Sequence, residues 1–130
     1  MRRLFGHALA LALLLPATSL LAAPPTAPRT LSGELQGAPW RLDVPAIWNG
    51  ELVMLAHGYE PVGVPRTTPM TANDSTTALL GAGYAVAQSA YSNQGWAVAE
   101  AINDTERLRE HAARELKHVR HTWILGFSMG

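Results

Sequence analysis

The stretch that decides the reading is Ile124-Leu125-Gly126-Phe127-Ser128-Met129-Gly130. It starts at the end of a short apolar run, Thr122 to Leu125, and passes straight into the pattern G-x-S-x-G. A short apolar run of this kind predicts a strand. The serine therefore sits on the turn that leaves a strand. A very sharp turn there lifts the serine hydroxyl clear of the backbone, and side chains two residues to either side would collide. Glycine at Gly126 and Gly130 removes both. The same turn aims the amide of Met129 at the point where a reacting oxygen would sit. Three fixed positions of this type recur by chance in roughly one chain in twenty-five of this length. The competing reading is an ordinary turn serine, and the flanking chain decides between them.

Working outward, Leu52 to Ala56 is a second unbroken apolar run, and it stops at His57-Gly58. Such a run predicts a strand buried on both faces. Glycine after it lets backbone approach a ligand oxygen closely. Upstream, Leu31 to Leu35 and Trp40 to Val44 flank Gly37 and predict a hairpin. Pro45 to Gly50 is a turn. Glu60 to Met70 holds Pro61, Pro65 and Pro69 with Gly63, a loop composition. Asn73 or Asp74 caps a short helix running to Leu80, and Gly81 and Gly83 end it. Tyr84 to Ala90 is the next strand, and Ser92 to Gly95 a turn. A long helix follows, about Ala97 to Lys117. Val98, Ile102, Thr105, Leu108, Ala112 and Leu116 recur along it at helical steps and predict its buried face. Strands alternating with helices predict an α/β fold whose sheet is mostly parallel and flanked by helices.

The 130 residues allow one small domain. Ten basic residues balance ten acidic ones, which gives none of the basic excess of a nucleic-acid binder. The absence of cysteine excludes a disulfide scaffold and a zinc-thiolate site. Arg2 and Arg3, the apolar run Ala8 to Leu15, and the small residues Ala22 and Ala23 form a signal-peptide pattern over residues 1–22. Its apolar core is short for a membrane span, which needs about 20 residues. Arg2-Arg3-Leu4-Phe5 is a short match to a twin-arginine signal. Residues 23–30 read as a proline-rich linker, and 31–130 as the domain. Cleavage leaves a chain two charges negative, with no stable membrane span, exported to the periplasm or the outside.

Leu52–Tyr59 (LVMLAHGY) and Ile124–Gly130 (ILGFSMG), in this order of elements, resemble the N-terminal half of an α/β-hydrolase, specifically the secreted esterases, lipases and peptidases of that superfamily. The resemblance covers Leu31 to Gly130. It implies a partial α/β-hydrolase fold with Ser128 as nucleophile and the amides of Tyr59 and Met129 as the oxyanion hole. Gly58, Gly126 and Gly130 are its elbow and loop glycines. It implies hydrolysis of a small-molecule ester, or secondarily an amide or peptide, through an acyl-enzyme, with no metal and no organic cofactor. The family order is Ser, then Asp or Glu, then His. The acid and the base are accordingly expected after Gly130, and the 130 residues alone are expected to be inactive or nearly so. A non-catalytic or degenerate binding module of the same type is the alternative.

Other candidates have plainer readings. His57 is expected to order its loop, not to serve as a base. His111, His118 and His121 could suggest a metal site, but no carboxylate accompanies them at a recognised spacing, and His118 and His121 lie near the end of the long helix, where solvation and the helix dipole account for them. Asp104 and Glu106, two apart on a helix, point to different faces and read as surface residues. Gly81-Ala82-Gly83 lacks the third glycine of a dinucleotide loop and precedes a strand. Trp40, Trp48, Trp96 and Trp123 read as core or edge aromatics.

Overall fold

The computed structural model describes residues 27–66 and 72–130. The expected signal peptide, residues 23–26 of the linker, and residues 67–71, which include the end of the proline-rich loop, lie outside the described residues. In chain order the elements are β1 (Arg29–Leu35), β2 (Ala38–Val44), β3 (Glu51–Ala56), α1 (Asp74–Gly81), β4 (Ala85–Ser89), α2 (Val98–Leu116) and β5 (His121–Gly126). Gln36 and Gly37, both at positive φ, turn β1 into β2. Asn73 caps α1: its side chain accepts from the Thr76 amide at 2.9 Å, satisfying one of the amides a helix start leaves free.

The five strands form one sheet in the order β1-β2-β4-β3-β5. β1 pairs antiparallel with β2, and β2 antiparallel with β4. β3 pairs parallel with both β4 and β5. Two of the four pairings are therefore antiparallel. The expected fold class, a partial α/β-hydrolase fold with a mostly parallel sheet and flanking helices, is corrected accordingly. Among the described residues the structure is a mixed five-stranded sheet with two helices. The cause is the leading hairpin. Its two-residue turn forces β1 and β2 to run opposite ways, and β2 then adds to β4 in the antiparallel sense. Only β3, β4 and β5 are joined by helical crossovers, which parallel pairing requires.

The two helices cover opposite faces. Leu108, Ala112 and Leu116 of α2 pack on Trp40, Leu42, Val44, Leu52, Met54, Ala85 and Ala87. Leu79 and Leu80 of α1 pack on Val53, Leu55 and Val86. β3 is thus buried on both sides, as its unbroken apolar run predicts. Leu108 is 1 % exposed. Its truncation to alanine should cost about 2–5 kcal/mol, read as a lowered urea midpoint at unchanged slope; a midpoint within error of the parent would contradict this packing.

The buried stripe of α2 is Asp104, Leu108, Ala112 and Leu116, whereas Val98 and Ile102 are exposed. β5 is an edge strand, exposed along its length, with Trp123, Ile124 and Leu125 open. A polar cluster holds it to β3. The Trp123 indole N–H donates to Glu51 Oε2 at 2.8 Å, and His121 and Arg120 lie 3.5 and 3.7 Å from Glu51 Oε1. The Trp123 hydrogen bond, with smaller pulls from His121 and Arg120, holds the Glu51 carboxyl below its ordinary 4.5. Because the folded value is lowered, this support is complete above the ordinary value and is lost as pH falls through the lowered one. The Trp123 indole N–H resonance should therefore titrate with a midpoint below 4.5. A midpoint at the ordinary value would remove the hydrogen bond from the account of the edge.

Candidate active site

The connection after β3 leaves toward α1 and the connection after β4 toward α2, on opposite faces of neighbouring strands. That divergence opens a crevice at the carboxyl ends of the strands, the usual ligand position in sheets with parallel crossovers. His57 to Tyr59, Ala90 to Trp96 and Phe127 to Gly130 all lie at this end.

Ser128 comes two residues after β5 and has φ +58°. A serine in this left-handed region is strained, and such strain persists only where the surroundings impose it. They do so here. The Phe127 amide donates to the Ala56 carbonyl at 3.0 Å, prolonging the β3–β5 ladder. The Gly130 amide closes the turn on the Phe127 carbonyl, also at 3.0 Å. A Cβ on Gly126 would strike the Gly130 carbonyl oxygen and lie 2.6 Å from its carbon. One on Gly130 would strike the Ala56 oxygen and lie 2.8 Å from the His57 oxygen. One on Gly58 would come within 2.9 Å of both the Phe127 oxygen and Ser128 Cβ. Gly58, Gly126 and Gly130 are thus three places where backbone meets backbone or the serine itself. The Ser128 side chain is exposed, its Oγ beside Gly58.

The amides of Tyr59 and Met129 donate no hydrogen bond among the described residues. They belong to the two loops that meet at Gly58 and Ser128. The Ser128 hydroxyl also makes no hydrogen bond among the described residues. His57 is occupied elsewhere. Its Nδ1–H donates to the Gly58 carbonyl at 2.7 Å, and its ring stacks on Tyr91 at 4.0 Å between centroids. Its Nε2 is buried without a partner among the described residues.

Tyr91 and Arg66, which carry no sequence signal, and Asp104, expected at the surface, hold this end together. Tyr91 is 1 % exposed and has φ +59°. Its hydroxyl donates to the His57 carbonyl at 3.0 Å, and burial pushes its phenol above the ordinary 10, keeping it a donor. Arg66 donates to Glu60 Oε2 at 2.7 and 2.9 Å and to the carbonyls of Tyr91 and Asn93 at 2.8 and 2.9 Å. Asp104, expected at the surface, is 4 % exposed. It accepts from the Ser92 amide at 2.6 Å and from Arg107 at 2.5 Å. Val98 and Ile102 remain exposed because they line an open cleft with Ala56, Tyr91, Ile124 and Met129. Glu106 is exposed as expected and pairs with Arg109 at 2.6 Å.

The remaining candidates stay apart from Ser128. His111 packs its ring on Trp40 at 4.7 Å, and His121 lies in the Glu51 cluster. No group of three or more His, Asp or Glu among the described residues is placed to hold a metal ion. No helix among them is long and apolar enough to cross a membrane. No protein-family model matches the chain, and no curated protein matches it.

Proposed function

We propose that the chain carries the nucleophile and oxyanion-hole portion of an exported serine hydrolase acting on small-molecule esters, as its resemblance to the secreted α/β-hydrolase enzymes implies. The observation that carries this reading is Ser128 at φ +58° on a glycine-walled turn, beside the two unspent amides of Tyr59 and Met129. Residues 1–22 supply the export signal in this reading.

Ser128 Oγ attacks the ester carbonyl carbon, and its proton passes to a base. The carbonyl oxygen becomes an oxyanion that accepts hydrogen bonds from Tyr59 and Met129. Each such donor contributes about 2.7–4 kcal/mol of transition-state stabilisation. Collapse expels the alcohol, which takes the proton from the base. Water then repeats the sequence on the acyl-enzyme, releasing the acid and restoring Ser128. No described residue contacts the Ser128 hydroxyl as a base, and His57 is turned away. The resemblance implies that the proton acceptor is a histidine that follows the serine in chain order. That same gap favours the second reading, a non-catalytic module that binds a ligand at this crevice.

A fluorophosphonate probe separates the two. In the folded protein with its base in place, mass spectrometry should find one covalent adduct, on the peptide containing Ser128, and Ser128→Ala should abolish it; residues 1–130 alone should take up the probe slowly or not at all. A folded protein that takes up no probe even with its base in place supports the non-catalytic module.

A further inference from the structure

The face of the sheet that α1 covers changes character at its carboxyl end. Val53, Leu55 and Val86 form the apolar part, with Leu79 and Leu80 of α1 against it. Side chains two apart along a strand share a face. His57 therefore follows Leu55, and Gln88 follows Val86, on this same side; Leu55 and Gln88 are register partners. Two polar side chains thus stand where the apolar rows would continue. Gln88 is 6 % exposed, its Nε2 is buried, and its amide group makes no hydrogen bond among the described residues. The His57 Nδ1–H is spent on the Gly58 carbonyl. Its Nε2 is thereby left a bare acceptor, also buried and without a partner among the described residues.

Buried polar groups are nearly always paired, so two orphaned ones on one face mark a place built to bond something. Both line a pocket of about 450 Å³. That is far more than the roughly 30 Å³ of one water and within the range of small-molecule sites. Tyr59, Pro61, Pro65 and Ala90 give the pocket an apolar wall. Its other polar side chains are already engaged. Arg66 is taken by Glu60 and two carbonyls, and the Asn73 side-chain oxygen by the Thr76 amide. Gly58 belongs both to this pocket and to the contact with Ser128.

We propose that this pocket binds a small neutral ligand through an alcohol hydroxyl, whose oxygen accepts from the Gln88 amide and whose O–H donates to His57 Nε2. A hydroxyl is the simplest group that does both. A carboxylate cannot donate to His57, and Glu60 on the pocket wall repels it. A ketone accepts from Gln88 but leaves His57 unpaired. The carbon body of the ligand lies on the apolar wall. Binding here needs no activity at Ser128, so the site stands or falls apart from the hydrolase reading.

The test titrates the full chain with cyclohexanol and with cyclohexanone, which match in size and differ in the O–H. Binding is read from the backbone amide resonances of Tyr59 and Ala90, which every variant below retains. Cyclohexanol should shift both and bind about tenfold tighter than the ketone, because a site built around a hydroxyl penalises an analogue that leaves a buried group unpaired. Gln88→Leu suits the apolar row and should weaken cyclohexanol about tenfold. His57→Phe keeps a ring against Tyr91 and should bring alcohol and ketone to equal affinity. A thermal melt checks that each variant is folded, and the comparison of the two ligands on the parent needs no variant. Equal binding of alcohol and ketone by the parent overturns the proposal, as does an unchanged cyclohexanol affinity in folded Gln88→Leu. So does a crystal soaked in cyclohexanol that shows only a water, or a protein side chain, on the Gln88 amide.

Discussion

Replacing Asp104 with alanine should lower the melting temperature by about 12–24 °C. The carboxylate is nearly out of solvent and serves two elements at once, the turn after β4 through the Ser92 amide and its own helix through Arg107. Hydrogen bonds to a charged partner contribute about 1.5–3 kcal/mol each, and the part-buried Ser92 amide is then left without its acceptor. Arg107 is partly exposed and can turn to water, so its share of the loss is the smaller. A total near 3 kcal/mol, at roughly 4–8 °C per kcal/mol for a domain of this size, gives the stated range. Asp104→Asn keeps an acceptor for Ser92 and should lose about half as much. The damage should also reach the crevice, because the Ser92 turn holds Tyr91 in its left-handed conformation, and Tyr91 holds the His57 carbonyl. A thermal melt within 3 °C of the parent, by the same scale, would show that Asp104 is not the tether described.

Gly126→Ala should reduce fluorophosphonate labelling of Ser128 by about a hundredfold or more while leaving the core folded. The added methyl would lie 2.6 Å from the Gly130 carbonyl carbon, and backbone cannot rotate aside as a side chain can. Overpacking of this kind costs about 1–3 kcal/mol. The cheapest relief is to open the Phe127–Gly130 turn, whose closing bond is a single 3.0 Å contact. That displaces Ser128, and a misplacement near 1 Å at a reacting group can cost about a hundredfold in rate. Gly81→Ala is the control. It lies at the end of α1 where a Cβ meets nothing within 4 Å, so labelling should not change. Equal labelling of Gly126→Ala and the parent would mean that the glycine does not set the serine's position.

Much of this was legible in the sequence where the signal is local. The apolar run Leu52 to Ala56 announces a strand buried on both faces, and the pair Asn73-Asp74 announces the start of α1, because a cap needs only its own side chain, though the structure decides for Asn73. The glycines around Ser128 are legible because a steric conflict between neighbours in the chain repeats wherever the turn occurs. What depends on distant partners was not. The hairpin was visible, but nothing in Trp40 to Val44 says that it adds antiparallel to Ala85 to Ser89, and this made the sheet mixed. Apolar periodicity placed Val98 and Ile102 on the buried face of α2. The Ser92–Asp104 bond, formed across twelve residues, buries a carboxylate on α2, while Val98 and Ile102 line an open cleft against Ile124 and Met129. Tyr91 carried no pattern at all, since its role follows from a carbonyl thirty-four residues upstream.

The most direct measurement is a crystal structure of the protein after reaction with the fluorophosphonate. Phosphorus should be bonded to Ser128 Oγ, with the phosphoryl oxygen about 2.7–3.1 Å from both the Tyr59 and Met129 amide nitrogens. An adduct on another residue, or a Ser128 adduct whose phosphoryl oxygen faces solvent away from both amides, would contradict the proposed catalytic assembly.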